Sequence, residues 1–224
     1  LKLVNINMGI DIDFEENDII ELIIENSKAF ADTVFSIAKQ CNGDEGEFVL
    51  SDSGGVLKLN KYTDVIFDYF TLSTNNKKIL AKLYTYLSEI TNQYIEEKAD
   101  INSKIVAILD SITTSSGDVE IKYNLDFNWA DIFKLYNVEF EEDYADLLSK
   151  LISYVKIISS YSDINTLFLV NVRSYLSSEE LVSLYEMTKY CKVNIILIES
   201  RESIERTIEK RYIIDKDLCF INAN

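Results

Sequence analysis

The sequence predicts an α/β protein whose mostly parallel sheet is assembled from both ends of the chain around an α-helical insertion. Two stretches carry this reading. In Ile19 to Lys39 an apolar run, Ile19, Ile20, Leu22, Ile23 and Ile24, suits a strand buried on both faces; a helical repeat through Phe30, Val34, Phe35 and Ile37 follows it. In Leu167 to Glu199 the runs LFLVNV and VNIILIE flank a helix opening at Ser177-Ser178-Glu179-Glu180 and reaching about Tyr190. Two β-α-β units of this kind close one parallel sheet from distant parts of the chain.

The remaining elements follow in order. Ile10, Ile12 and Phe14 alternate with Asp11 and Asp13 and predict an opening hairpin within Leu1 to Asn17. After the loop CNGDEGE, Phe48 and Leu50 alternate towards Ser53-Gly54-Gly55, and Val56, Leu57 and Leu59 follow, a second hairpin. Val65 to Phe70 predicts a strand. From Asn75 to Ile112 apolar residues keep helical spacing, with a break expected near Lys98 to Asp100; an unbroken helix there would run roughly 55 Å. Glu141 to Tyr161 is a returning helix, expected to pack antiparallel on the first as a leg. Between them lie a turn, a short strand-like piece and a short helix from Trp129 to Tyr136. These readings place an α/β head at 1–74 and 163–224 and a helical leg at 75–162. A charged loop, SRESIERTIEKR, and a final pair of strands, YIID and LCFI, end the chain.

Composition removes whole classes of chemistry. The chain has no histidine, so imidazole bases and Ser-His-Asp or Cys-His nucleophile systems are absent. Its three cysteines, Cys41, Cys191 and Cys219, are far apart and form no C-x-x-C pair; they are expected as buried apolar thiols, not as a disulfide or zinc framework. No apolar run nears the roughly 20 residues that span a bilayer, and the expected location is the cytoplasm. The net charge of -16 is unevenly spread, with 14 acidic against 5 basic side chains in residues 1–72 and 13 against 4 in 96–146. The basic residues between and after these blocks could meet a polyanion if they converge in space.

The chemistry expected of the scaffold is missing from its usual places. A phosphate-binding turn would fall at Glu25 to Lys28, yet ENSK has neither glycine nor a G-x-x-x-x-G-K-[ST] pattern. The strand LFLVN ends in Asn171 where a magnesium-holding carboxylate would stand. In the acidic insertion Asp118, Glu120, Asn124 and Asp126 supply hard oxygen ligands of the kind calcium prefers, without an EF-hand spacing. Asp110, Glu120 and Lys122 give a weak D…E-x-K pattern, the alternative of a metal-dependent nuclease. Lys77, Lys78 and Lys82 open the long helix, and Lys150 and Lys156 lie on the returning one. Paired, the two helices would gather a basic strip fit for a phosphate backbone.

Five segments in order, EN-x-K-x-F (25–30), GEFVLSDS (46–53), NNKK-x-L-x-KLY (75–84), VN-x-x-SYLS-x-EEL (170–181) and YIIDKDLC (212–219), resemble the Csn-two family of type II-A CRISPR adaptation proteins. The resemblance implies a head distantly related to P-loop folds but without a working nucleotide site, and a helical leg. It further implies a calcium-dependent, ring-shaped homotetramer that threads double-stranded DNA, without enzymatic activity, during spacer acquisition beside the integrase complex and the RNA-guided nuclease. By the same resemblance Glu120 and Asp126, then Asp118 and Asn124, are the expected calcium ligands, with Glu139 or Glu142 as substitutes. Lys77, Lys78 and Lys82, then Lys28, are the expected DNA contacts. The other alternative is a degenerate nucleotide-binding regulator.

Overall fold

A computed structural model describes residues 1–15, 18–117, 119–203 and 208–223. It divides into two compact units, residues 1–73 with 142–224, and residues 74–141.

The first unit is built on a six-stranded sheet of order β10-β9-β3-β8-β7-β6: β3 (Ile19–Ile24), β6 (Thr63–Ile66), β7 (Thr166–Val170), β8 (Asn194–Glu199), β9 (Lys210–Ile214) and β10 (Phe220–Asn222). The pairs among β6, β7, β8, β3 and β9 are parallel and only β10 runs against its neighbour. Every residue of β3, β7 and β8 is buried, which explains their mostly apolar wording. One sheet face, Ile20, Leu22, Ile24, Phe168, Ile196 and Ile198, packs on Ile37 of α1 (Ser27–Cys41) and on Leu3, Ile10, Ile12 and Leu50 of a second sheet. That sheet has the order β2-β1-β4-β5, from β1 (Lys2–Asn5), β2 (Ile10–Asp13), β4 (Val49–Asp52) and β5 (Gly55–Leu57). A single turn, α2 (Leu59–Tyr62), leads into β6.

The turn between α1 and β4 has a specific lock. The Gln40 amide donates to the Phe48 carbonyl (2.9 Å) and accepts from the Phe48 amide (3.0 Å). A Cβ at residue 46 would lie 2.4 Å from the Gln40 side chain, so only glycine fits this close approach.

Two helices complete the unit, α6 (Leu147–Tyr161) and α7 (Ser178–Cys191). Both start in capping boxes, Asp146 with Ser149 and Ser177 with Glu180, which satisfy the first free amides of each helix. The second unit begins at residue 74 against the expected 75, whereas the boundary expected at 162 needs correction, because α6 belongs to the first unit. Its Tyr154 hydroxyl bonds to Asp64 on β6 and its Lys150 Nζ donates to the Phe70 carbonyl at 2.7 Å.

The second unit holds α3 (Lys77–Ile90), α4 (Ile95–Thr114) and α5 (Trp129–Leu135). The long helix is broken, but at a 3-10 turn over Thr91–Gln93 and not near Lys98 to Asp100; Tyr94 leaves helical geometry there at φ −112° and ψ 37°. The side chain of Asn75 closes the unit by exchanging two 2.8 Å hydrogen bonds with the backbone of Phe140. Residues 119–128 form neither strand nor helix, so the strand-like piece expected there is absent.

Three further expectations fail for local reasons. Phe35 is 63% exposed, its ring covered by Lys39 at 4.8 Å instead of by the core. The strand expected to reach Phe70 ends at Ile66, where Asp68 turns the chain by accepting from the amides of Phe70 and Thr71. Cys219 is exposed and the other two thiols are half-buried. No helix among the described residues is long and apolar enough to cross a membrane.

Candidate functional site

The expected cationic residues divide between the two units. On α3 the Asn76 side chain caps the helix by accepting from the Ile79 amide at 3.0 Å. The helical repeat then buries Ile79 and Leu83 and leaves Lys77, Lys78 and Lys82 exposed, with Lys78 and Lys82 one turn apart on the same side. In the first unit Lys28 lies in the first turn of α1, 3.4 Å from Asp32, and Lys156 is exposed on α6. Lys150 is half-buried and bound to the Phe70 carbonyl, which makes it a structural cation in this arrangement. Lys77, Lys78 and Lys82 thus lie in the second unit, and Lys28, Lys150 and Lys156 in the first.

The acidic residues read as calcium ligands lie apart from a finished metal site. Glu120, Asn124 and Asp126 are exposed in the segment before α5, and Asp118 lies outside the described residues. The Asp126 carboxylate is held by Lys98 at 3.0 Å, which keeps it below the usual carboxylate range. Asp110, on α4, accepts from the Tyr123 hydroxyl at 3.2 Å, while Lys122 and the substitutes Glu139 and Glu142 are exposed. Among the described residues no group of three or more His, Cys, Asp or Glu side chains is placed to hold a metal ion. Within one chain the described residues thus do not fit a calcium centre, which takes about six to eight oxygens.

The turn after β3 is occupied by the chain itself. Asn26 Oδ1 accepts from the amides of Lys28 and Ala29, each at 3.1 Å, the donors that a phosphate would use at a helix start. Its Nδ2 donates to the Lys216 carbonyl at 3.1 Å. Asn171, at the end of β7, takes a left-handed conformation with φ 52°, and its Oδ1 accepts from the Ser200 amide at 3.0 Å. Asn26 caps a helix and Asn171 ties the end of β7 to the segment after β8, where a nucleotide site would need free donors or a carboxylate.

One constellation escaped the reading of the sequence. Glu21, wholly buried in β3, receives Arg173 Nε at 2.6 Å on one oxygen and Arg211 Nε at 2.5 Å on the other. Arg173 continues to Glu209 at 2.6 Å, which also accepts from the Tyr185 hydroxyl at 2.8 Å; Arg211 continues to Glu202 at 3.2 Å. Beside this ladder stands Glu199, 4% exposed at the end of β8, which accepts from the Arg173 amide at 3.1 Å. Burial pushes its carboxyl up to about 7. The signal lay in IIELII: a strand buried on both faces cannot hold a glutamate without buried cationic partners.

Comparison with known proteins fits this architecture. The family model described as CRISPR-associated protein (Cas_Csn2) matches residues 40–218. A CRISPR-associated protein Csn2 of Streptococcus agalactiae is 22% identical over 165 residues, covering 71% of this chain and 72% of the relative. The crystal structure of Stu0660 of Streptococcus thermophilus superposes with a TM-score of 0.59 at 15% identity, over 96% of this chain and 75% of that one, a likeness of fold. With four-fifths of its length matched by the family model, the chain belongs to the CRISPR-associated Csn2 family.

Proposed function

We propose that this protein is a non-enzymatic, sequence-independent binder of double-stranded DNA that acts in type II-A CRISPR spacer acquisition as a homotetrameric ring. The observation that carries the reading is family membership over residues 40–218. The local support is the exposed trio Lys77, Lys78 and Lys82 on a helix whose other side is buried. A phosphate backbone needs no more than such cations at helical spacing, and an affinity built on them ignores base sequence.

Assembly has its own support. On α4 no residue is buried, and Ile101, Ile105, Ile108 and Ile112 recur at helical spacing while 39–61% exposed. An apolar stripe of this kind is what a neighbouring copy covers. The head's kinship to P-loop folds, the second unit's role as a leg, cytoplasmic location, and contact with the integrase complex and the RNA-guided nuclease enter the proposal from the family. Calcium does too, since the described residues of one chain do not build its site, and no step is assigned to it here.

The test is a gel-shift titration of linear against closed circular duplex, in calcium and then in chelator, with the input DNA checked for cutting. Calcium-dependent binding to intact linear DNA with the circle refused is the expected outcome and means loading over ends. No binding in either condition overturns the DNA reading, and cut DNA replaces it with a nuclease.

A further inference from the structure

The buried ladder in the first unit carries one more charge than its pairs account for. Glu21 and Glu209 face Arg173 and Arg211, and Arg211 also reaches Glu202 and the Ser203 carbonyl. Glu199 lies on the same sheet face as Glu21, since Glu199 stands opposite Ile23 and Leu197 opposite Glu21 in the parallel register. Among the described residues it receives backbone amides, from Arg173 and Val172, and no ion pair. The groups set against it are Glu21 from β3, Arg173 from the turn after β7 and Tyr69 from the segment after β6, and the ladder beyond them adds Arg211 from β9, Tyr185 from α7, and Glu202 and Glu209 from the segment after β8. With Glu199 protonated the buried set Glu21, Glu209, Arg173 and Arg211 is neutral; with Glu199 ionised it holds an unpaired carboxylate out of water.

The position of Glu199 makes this consequential. It is the last residue of β8, and three contacts around it join two backbone segments. Asn171 N donates to the Ile198 carbonyl (2.8 Å), Ser200 N to Asn171 Oδ1 (3.0 Å), and Arg173 N to Glu199. Ser200, Glu202 and their neighbour Arg201 border a crevice of about 520 Å³ that Ile24, Glu25, Ser27, Phe30 and Lys216 complete at the ends of β3 and β9.

The geometry points to a proton-operated latch: while Glu199 is protonated, residues 171–174 and 200–203 stay closed over the ladder, and when it ionises they open locally so that water reaches the carboxylate. The proton passes to solvent, and no partner is required. This device is independent of the DNA reading, since none of its residues belongs to the lysine set.

The direction follows from linkage. A carboxyl whose closed-state value is raised from 4.5 to about 7 binds more protons closed than open between those values. The closed form is therefore favoured at low pH and loses ground as pH rises towards 7, the penalty being complete above it. From pH 6 to pH 8 the opening equilibrium should grow about tenfold.

Hydrogen exchange of the whole protein, read by mass spectrometry at pH 6 and pH 8 and corrected for intrinsic exchange, tests it. Expected is about a tenfold loss of protection confined to peptides covering 171–176 and 196–203, with peptides of β1, β2 and α4 unchanged, and abolition of the pH effect in Glu199→Gln. Equal protection of the wild-type peptides at both pH values overturns the proposal even if the variant fails to fold. So does a loss spread over the whole chain, or a pH effect that persists in a folded Glu199→Gln.

Discussion

At the scale of single residues the first unit depends on Glu21. Each of its oxygens takes an arginine, and none of its surface meets water. An ion triad of this kind is costly to bury but far more costly to break, because a missing partner strands charges in a medium that cannot solvate them. Replacing Glu21 by Gln keeps the shape and removes the charge that both arginines share. Urea denaturation should show a loss of about 3–5 kcal/mol, with circular dichroism at zero denaturant reporting whether a native state survives; a loss under about 1 kcal/mol would mean the pairs behave as surface pairs do. This site was legible in principle, since a glutamate inside a doubly buried strand demands partners. Which arginines answer was not legible, because Arg173 and Arg211 lie 152 and 190 residues away in sequence and are brought together only by the strand order. The candidate lysines were legible as exposed residues from the helical repeat of Ile79 and Leu83 alone. The acidic ligands were not, because residues 119–128 carry no repeat to fix where their carboxylates point.

Among the elements, the helices are set by their caps as much as by their apolar faces. Asp146 accepts from the Ser149 amide at 2.7 Å while Ser149 Oγ accepts from the Asp146 amide at 3.1 Å, and this box starts the helix whose Tyr154, Val155 and Ile158 are buried. The bond to the amide holds the Asp146 carboxyl below the usual range. Asp146→Ala should lower the midpoint of thermal or urea unfolding, and Asp146→Asn, which can still accept, should lower it much less; equal losses would show that charge and not the bond does the capping. Strands β3, β7 and β8 and the starts of α1 and α7 could be read directly, since strands buried on both faces are mostly apolar and Asn26 and Ser177 announce helix starts. The break at Thr91–Gln93 could not, because the apolar spacing continues across it, from Ile90 to Tyr94, with no glycine or proline to mark the stop. Nor could the membership of α6, whose apolar face is the same whether it packs on a partner helix or on a sheet.

For the molecule as a whole the question is how a chain of net charge -16 could hold a polyanion. Long-range repulsion works against such binding, but over a Debye length of about 8 Å at physiological salt only the local surface counts. The proposed contact therefore turns on the surface around the exposed Lys77, Lys78 and Lys82 and not on the charge of the whole protein. Affinity of this origin comes from counterion release and therefore has a signature apart from its strength: log K falls with log salt by about 0.9 for each phosphate neutralised. In the proposed assembly the triple variant Lys77→Ala, Lys78→Ala, Lys82→Ala should bind linear duplex weakly at every salt concentration and with a visibly shallower slope, while light scattering shows the same assembled mass. A variant of unchanged mass that binds weakly with an unchanged slope would show that these lysines do not neutralise phosphates, and the DNA surface would have to be sought on Lys28 and Lys156 of the first unit.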